Sequence, residues 1–375
     1  MRVLHINGNY IYSALHQNML LALDRTGVES YVFVPKHEKA VPVIEPAPNV
    51  HAVRCFNKND RFFFYRKQGK IVDEMRRIPG IGDFDCIHAY TVFTDGNSAM
   101  EISREFGIPY IVAVRNTDVN EFFKFRLLLR KRGVEILKNA SAVLFLSDVY
   151  RKQVLELYVP EEYRADIDAK SCVIPNGIDD FWFDNIVREA DPEKAARAAA
   201  KSPRLLYAGA VNRNKNPELT AEAVELLAAE GWNATFTTVG KIKDGAIAAK
   251  LEKYPSYRHL DAMPKEELIN VIRDHDIFVM PSHTETFGLV YAEAMSQGLP
   301  VIYTKGQGFD GQFEEGAAGY SVDDRSAEDL AEKIKKTAEN YTVLSLNASS
   351  LVEKFRWSRI CGAYAELYKK IAAGR

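Results

Sequence analysis

The sequence has few cysteines and little excess charge of either sign. Its 375 residues include four cysteines, none in a C-x-x-C pair, and the formal net charge is −2. Widely spaced thiols of this kind indicate neither a zinc site nor a redox pair, and they favour reduced thiols in the cytosol. A general nucleic-acid binder would be expected to be strongly basic, so the charge argues against that class.

Long hydrophobic segments are also missing. No apolar run approaches the ~20 residues that a membrane span needs. The N-terminal stretch MRVLHING predicts a strand rather than a signal peptide, because its apolar run is too short. We therefore expect a cytoplasmic protein. With 47% apolar and 27% charged residues the composition is globular, and the length favours about two domains.

Short apolar runs alternate with amphipathic segments, which is typical of parallel sheets covered by helices. In the first half, buried strands are predicted at 3–6, 31–34, 86–90, 110–114, 142–146 and 172–175. The alternation restarts at 204–209 and continues at 234–240, 276–282, 300–304 and 319–322. Helices are predicted at 14–26, 96–106, 264–273, 288–297 and 326–339. Residues 176–203 carry no predicted strand and are expected to join two α/β units.

The stretch PSHTETFGLVYAEAMSQGLP (281–300) places Glu285 in a turn after a strand and Glu293 inside the following helix. Ligands of open α/β sheets bind beyond the carboxyl ends of the strands, and a helix N-terminus there suits a phosphate. Gly288 permits close approach of the backbone. A buried carboxylate at Glu293 could accept both hydroxyls of a ribose, at about 1.5–3 kcal/mol for each charged hydrogen bond. Glu285 would then face a sugar on the same diphosphate.

This pattern resembles the E-x7-E motif of the retaining family-4 glycosyltransferases of the GT-B fold. Stretches 87–114, 173–183, 207–224 and 355–360 are also similar to that family. The resemblance implies an α/β protein with two Rossmann-like, doubly wound parallel-sheet domains facing a central cleft. Residues 1–175 would bind the acceptor, with a C-terminal helix at about 356–375 packing back onto them. Residues 176–355 would contain the linker and the donor domain.

The resemblance further implies a metal-independent reaction in which a basic pair neutralises the leaving diphosphate. Lys215 matches the family lysine, whereas Ala210 stands where the family arginine is expected. We hypothesise that Arg213 supplies the missing charge. No cofactor is implied beyond the donor, a UDP-sugar or GDP-sugar. Together with the catalytic Glu285, the implied donor site contains Gly209, His283, Thr286, Phe287, Gly288, Leu289, Glu293, Gly308 and Phe309.

The acceptor site implied by the resemblance lies in the first domain. It contains Gly8 and Asn9 of the first loop, with His88 and Asp118. Arg115 and Asn116 stand where the family often has histidine followed by glycine, and we expect both in the active site. Arginine stays protonated and cannot act as a base. Catalysis would therefore rest on front-face attack assisted by the leaving phosphate.

Two other motifs suggest chemistry that the sequence does not otherwise support. GQGFDG (306–311) spells G-x-G-x-x-G, but Gly316 and Gly319 interrupt the helix that a nicotinamide site requires. Two D-x-D triplets, 166–168 and 274–276, are typical of charged surface, so no metal site is expected.

Two stretches of the first half, 57–77 and 120–139, combine aromatic and basic residues. Such a surface can rest on an anionic membrane, at the inner face of which the protein would be peripheral. Alternatively, these are ordinary charged helices whose phenylalanines and leucines face the core.

The sequence thus predicts a retaining transferase that moves a sugar from a nucleoside-diphosphate sugar to a glycan or lipid-linked acceptor, in cell-surface polysaccharide synthesis. Two alternatives stay open. Ala210 and Arg115 would fit a catalytically silent partner of an active transferase. A nucleotide-sugar epimerase on the same fold would act without an acceptor.

Overall fold

The computed structural model describes residues 1–41 and 47–374, apart from the side chain of Arg61. The chain divides into two compact units. Unit 1 contains Met1–Gly177 and the segment from Trp357 to the end of the described chain, and unit 2 contains Ile178–Arg356.

Within its described residues, unit 1 has a sheet of seven parallel strands: β1 (Arg2–Ile6), β2 (Glu29–His37), β3 (Val50–Phe56), β4 (Cys86–Ala89), β5 (Tyr110–Ala113), β6 (Ala142–Phe145) and β7 (Ser171–Val173). Their spatial order is β3-β2-β1-β4-β5-β6-β7. The sequence pattern predicts all of them except β3. This edge strand is only partly buried, so it has no continuous apolar run.

Before Gly177, the described residues of this unit form six α-helices: α1 (Ala14–Asp24), α2 (Phe64–Met75), α3 (Asn97–Phe106), α4 (Arg130–Asn139), α5 (Asp148–Tyr158) and α6 (Glu161–Ala169). Neighbouring residues of a strand point to opposite faces of the sheet. Val3 accordingly packs into one hydrophobic core with Leu20 of α1, whereas Leu4 packs into another with Met100 of α3. The sheet is therefore buried on both faces.

Unit 2, which is described throughout, has a sheet of six parallel strands: β8 (Arg204–Ala208), β9 (Thr235–Val239), β10 (Tyr257–Leu260), β11 (Ile277–Met280), β12 (Val301–Thr304) and β13 (Gly319–Val322). The order is β10-β9-β8-β11-β12-β13. The edge strand β10 is not predicted from the sequence, for the same reason as β3: its side chains stay partly exposed.

The helices of unit 2 are α7 (Asp180–Asp184), α8 (Pro192–Ala199), α9 (Pro217–Ala229), α10 (Gly245–Leu251), α11 (Lys265–Arg273), α12 (Leu289–Ser296), α13 (Ala327–Glu339) and α14 (Tyr341–Leu351). The last helix, α15 (Trp357–Ala373), belongs to unit 1, where it packs against α1 and buries Tyr364 and Tyr368. The joining segment 176–203 contains α7 and α8 and no strand of either sheet.

Both sheets reverse their strand order at one point, between β1 and β4 in unit 1 and between β8 and β11 in unit 2. The loops that leave two such strands diverge to opposite faces of the sheet, which opens a crevice at the carboxyl ends. The loops after β8 and β11 are those that contain Lys215 and Glu285. Among the described helices, none has both the length and the apolar character needed to cross a membrane.

Candidate functional site

The loop after β8 and the turn after β11 are hydrogen-bonded to each other. The backbone N–H of His283 donates to the carbonyl oxygen of Asn214 (2.8 Å), and Asn214 Nδ2 donates to the carbonyl oxygen of Thr284 (3.0 Å). Asn216 Nδ2 donates to the carbonyl oxygen of Pro281 (3.2 Å). These contacts join residues that are about 70 positions apart, and they hold the turn against the switch point of unit 2.

Glu285 is held at the centre of this turn. Its carboxylate forms an ion pair with Lys215 Nζ and accepts the backbone N–H of Thr286 (3.1 Å). Its own backbone N–H donates to Gln307 Oε1 (2.9 Å), and its carbonyl oxygen accepts the N–H of Gly308 (2.8 Å). Both side chains of the ion pair are largely buried, at 23% and 14% exposure. Two of the predicted catalytic residues, Lys215 and Glu285, are thus brought together.

Two glycines permit this geometry. Gly288 has φ of +74°, and a Cβ there would lie 2.5 Å from the ring of Tyr291. A Cβ on Gly308 would lie 1.6 Å from the carbonyl oxygen of Thr286. Any larger residue at either position would push the turn away from its supporting loop.

Beside the turn lies a cleft of about 430 Å³ at the carboxyl ends of β8 and β9. Its polar lining includes the carboxylate of Glu293 and two lysines, Lys241 and Lys243, and the predicted Gly209 also lines it. It is completed by Ala208, Ala210, Val239, Gly240, Ala262, Met263, Leu268 and Val290. The cleft therefore combines an apolar interior with a few charged groups, as small-molecule sites do.

The carboxyl group of Glu293 has an unusual ionisation. Its pKa is raised to about 7, chiefly by burial and to a smaller extent by the negative charge of Asp179, while Lys265 opposes the shift. No described residue donates a hydrogen bond to this carboxylate. Its acceptor capacity is thus available to a ligand in the cleft.

The other residues of unit 2 that are predicted to bind the sugar donor are distributed around the turn. Arg213 lies on the same short helical turn as Lys215 and has an exposed side chain. His283 Nδ1 contacts Asp324 Oδ2 at 2.6 Å, and Thr286 and Leu289 are partly buried.

The side chains of Phe287 and Phe309 do not fit a direct contact with the donor. Each is only 2% exposed, and the two rings lie 6.1 Å apart. They pack with Phe355, Tyr291 and Tyr303 in an aromatic cluster inside unit 2. These side chains therefore support the turn from the interior of unit 2 and leave the backbone of Phe287 and Phe309 to reach a ligand; that the two residues belong to the donor site stays a prediction.

Gly8 and Asn9 line a smaller pocket of about 180 Å³ in unit 1, at the carboxyl ends of β1 and β2. Three basic residues line the same pocket, namely Lys36, His37 and Lys67. It is completed by Tyr12, Pro35, Phe56, Ile71, Thr94 and Asp95. The pocket therefore favours an anionic group.

Arg115 and Asn116 follow β5 in the same unit. Arg115 Nη1 donates to Asn176 Oδ1 (3.2 Å), and its Nε lies 3.4 Å from the carbonyl oxygen of Tyr90. Asn116 Oδ1 accepts a hydrogen bond from Asn120 Nδ2 (2.5 Å). Both side chains are partly buried and already engaged.

His88 and Asp118 are placed differently from our expectation. His88 is 0% exposed, its Nδ1 lies 2.6 Å from the hydroxyl of Tyr368, and its ring stacks on Tyr90. Asp118 is 1% exposed and accepts the backbone N–H groups of Phe93 (3.2 Å) and Arg115 (2.9 Å). Side chains so enclosed do not fit a direct contact with an acceptor, so we assign both a structural role.

The sequence analysis did not identify Lys241 and Lys243, which line the cleft. They come just after the predicted strand at 234–240, and ligands of open α/β sheets bind beyond the carboxyl ends of the strands, so this rule could have found them.

The two D-x-D triplets are engaged in ion pairs, Asp168 with Arg151 and Asp276 with Arg197. In the described parts of the chain, no three His, Cys, Asp or Glu side chains are grouped so as to hold a metal ion.

Comparison with known families gives a match for each unit. The family model described as "Glycosyl transferases group 1" matches residues 189–350, and that described as "Glycosyltransferase Family 4" matches residues 17–180. Together the two matches cover most of both units.

Individual proteins are similar over nearly the full chain. A D-inositol 3-phosphate glycosyltransferase of Paenarthrobacter aurescens (strain TC1) is 24% identical, over 95% of this chain and 92% of its own. The structure of sucrose-phosphate synthase from Thermosynechococcus elongatus has a TM-score of 0.76 at 19% identity, over 100% of both chains. That of HepE from Anabaena in complex with UDP has a TM-score of 0.72 at 17% identity, over 99% of this chain and 100% of its own.

Proposed function

This chain belongs to the glycosyl transferases group 1 and is a family-4 glycosyltransferase of the GT-B fold, and we propose that it uses a nucleoside-diphosphate sugar with retention of configuration. The observation that carries this proposal is the Lys215–Glu285 ion pair at the switch point of unit 2, beside the cleft that Glu293 lines.

In this proposal unit 2 binds the donor. The cleft takes the nucleoside, and Glu293 accepts hydrogen bonds from the ribose hydroxyls. The N-terminus of α12, together with Lys215 and Arg213, faces the diphosphate, because unpaired N–H groups and fixed cations stabilise anions. Glu285 faces the sugar. UDP is the first nucleotide to test, since HepE is bound to UDP in its structure.

The reaction needs stabilisation of a leaving group. The bond between the sugar C1 and the phosphate oxygen breaks, and the electron pair stays on the diphosphate. The acceptor hydroxyl oxygen bonds to C1 on the same face and passes its proton to the departing phosphate oxygen. Lys215, assisted by Arg213, offsets the developing negative charge, which is the task that a divalent ion performs in other transferases. We therefore propose metal-independent transfer.

Unit 1 would bind the acceptor. Gly8 and Asn9 line its pocket, and Arg115 and Asn116 offer polar groups after β5. We propose a glycan or lipid-linked acceptor in the synthesis of a cell-surface polysaccharide.

A second candidate acceptor is a small phosphorylated molecule. The pocket lined by Lys36, His37 and Lys67 would suit a phosphate group. The name of the relative from Paenarthrobacter aurescens, a D-inositol 3-phosphate glycosyltransferase, points to the same acceptor chemistry.

A thermal-shift screen of UDP, GDP, ADP and dTDP identifies the nucleotide, since a ligand at 100 times its Kd adds about 2.7 kcal/mol of stability. The corresponding nucleotide-sugars are then incubated with EDTA and with either D-inositol 3-phosphate or a lipid-linked glycan. We expect transfer or slow donor hydrolysis, with an unchanged anomeric configuration in the product by NMR. Loss of turnover in EDTA would contradict metal independence. Nucleotide binding without turnover would favour the silent partner, and a changed sugar on the nucleotide would favour the epimerase.

A further inference from the structure

Unit 1 exposes large apolar side chains in two segments that are distant in sequence. At the start of α2, Phe62, Phe63 and Tyr65 are 80%, 59% and 61% exposed. Before α4, Phe125 is 70% and Leu128 is 95% exposed. Large apolar side chains are normally buried, and a cluster of exposed ones marks a surface that interacts with a partner.

The two segments meet in the folded unit. The rings of Phe64 and Phe122 lie 6.4 Å apart in an edge-to-face arrangement, and Phe122 stacks on Phe93 at 4.6 Å. The aromatic residues of these segments are thus divided between core and surface. Phe64 and Phe122 are partly buried and packed against the core, while their neighbours in sequence are exposed. We call the exposed set the aromatic–basic surface. It contains Phe62, Phe63, Tyr65, Phe125, Leu127 and Leu128, with the exposed cations Lys58, Lys124, Arg126 and Lys131.

Positive charge is concentrated in these segments. Residues 57–70 and 120–133 together contain ten lysines and arginines against two acidic residues, Asp60 and Glu121. Asp60 is buried and paired with Arg66 and Lys70, and Arg132 is paired with Glu101 and Glu135, so the positive charge at the surface comes chiefly from the other cations of these segments. Because the whole chain has a net charge of −2, the remaining residues sum to −10. The rest of the chain is therefore acidic in sum, whereas the two segments with the exposed aromatic side chains are basic.

We propose that the aromatic–basic surface docks unit 1 onto an anionic lipid bilayer. Aromatic and leucine side chains enter the boundary between headgroups and acyl chains, while the surrounding cations stay at the level of the lipid phosphates. Strong positive charge beside protruding apolar side chains suits a fluid anionic surface, which needs no matching shape. The inference goes beyond the proposed function, because docking does not depend on which sugar is transferred.

Flotation of the full chain with lipid vesicles tests the proposal. At low salt we expect the protein to float with phosphatidylcholine vesicles that contain phosphatidylglycerol, and to float far less with phosphatidylcholine alone. High salt should release it, since the attraction is screened.

Two pairs of variants separate the apolar from the ionic contribution. Phe62→Ser with Leu128→Ser leaves the charge unchanged, and we expect a fall in partitioning of about ten-fold or more. Its matched control is Val343→Ser in unit 2, which removes a side chain that is also exposed, at 61%. Lys124→Glu with Lys131→Glu should abolish the preference for anionic vesicles, whereas Lys253→Glu on an exposed site of unit 2 should not. Nucleotide thermal shifts must stay at the level of the unmodified chain in all variants, which shows that they fold.

Three outcomes would overturn the proposal. The first is an absence of flotation with anionic vesicles at low salt, and the second is equal flotation of the surface variants and the unmodified chain. The third is self-association of the chain in sedimentation that the same variants abolish, without any flotation, which would make the surface an interface between copies. Failure of docking while transfer to D-inositol 3-phosphate persists would leave the proposed function intact.

Discussion

The two units share a strand order, yet each uses the carboxyl group at its switch point differently. Asp95 in unit 1 and Glu293 in unit 2 both have pKa values raised to about 7, in each case chiefly by burial. Asp95 accepts hydrogen bonds from the backbone N–H of Gly8 (3.3 Å) and the hydroxyl of Thr91 (3.0 Å). Glu293 accepts none from the described residues. A raised pKa therefore marks enclosure, and the proposed ribose contact depends on the unused acceptor capacity of Glu293.

Unit 1 differs in a second way, because it encloses neutral histidines beneath its loops. His5 Nδ1 lies 3.1 Å from the hydroxyl of Tyr90, and burial lowers the pKa of His5 to about 3. The pKa of His16 is also lowered to about 3, and that of His88 lies well below its usual value. Unit 1 thus contains three histidines that its surroundings keep neutral, whereas the carboxyl group of Glu293 in unit 2 lines a cleft.

The largest effect expected is on the ion pair of unit 2. Lys215→Ala should lower kcat by roughly 10²–10³-fold, because a fixed cation no longer stabilises the leaving diphosphate. Lys215→Arg should restore part of the rate. Steady-state kinetics with the donor found in the nucleotide screen measure this, with the exposed Lys253→Ala as the control. Turnover of Lys215→Ala within two-fold of the unmodified enzyme would remove Lys215 from the site.

Acid should lower the stability of unit 1 more than that of unit 2. The histidines of unit 1 bind protons in the unfolded chain below a pKa of about 6.5 but not in the folded one, so their contribution to stability falls as pH drops below that value. One pH unit lower, each of His5, His16 and His88 should cost on the order of 1 kcal/mol. Protonation of Asp95, whose pKa is raised to about 7, offsets part of this loss. Denaturant unfolding is followed in variants that keep only Trp357 in unit 1 or only Trp182 in unit 2.

In unit 2 burial lowers the pKa of one histidine, His275. The midpoint reported by Trp357 should therefore fall more than that reported by Trp182. Equal shifts at both reporters would contradict the proposed difference between the units.

Glu293 should control nucleotide affinity in a pH-dependent way. Ribose hydroxyls donate to the carboxylate, so binding is strongest when Glu293 is ionised and weakens as pH falls below about 7. Glu293→Gln should lower affinity roughly ten-fold at pH 8 and remove this pH dependence. Calorimetry between about pH 6 and pH 8 measures both effects. The control is the exposed Glu252→Gln, and a pH profile that Glu293→Gln leaves unchanged would exclude the ribose contact.

The smallest effect is expected at Arg213. Its side chain is exposed, so solvent screens its charge, and Arg213→Ala should lower kcat only about two- to five-fold with little change in KM. A loss as large as that of Lys215→Ala would show that Arg213 fully replaces the arginine missing at Ala210. Unchanged turnover would place Arg213 outside the site.

The chain itself specifies most of the architecture. Its apolar runs predict eleven of the strands in the described residues, because strands buried on both faces need continuous hydrophobic sequence. The edge strands β3 and β10 escape prediction because solvent reaches them. The spacing of Glu285, Gly288 and Glu293 after a predicted strand likewise indicates a ligand-binding turn from sequence alone.

Only the tertiary structure could decide which side chains face a ligand. Phe287 and Phe309 belong to the predicted site in the sequence, yet the side chains of both are buried in an aromatic cluster. His88 is likewise buried and contacts Tyr368 of α15. Conversely, Phe62 and Leu128 resemble core residues in the sequence and are exposed in the folded unit. The physical reason is that the sequence pattern shows only how apolar and polar residues alternate within a segment. The burial of each side chain depends on which other segments of the chain pack against it.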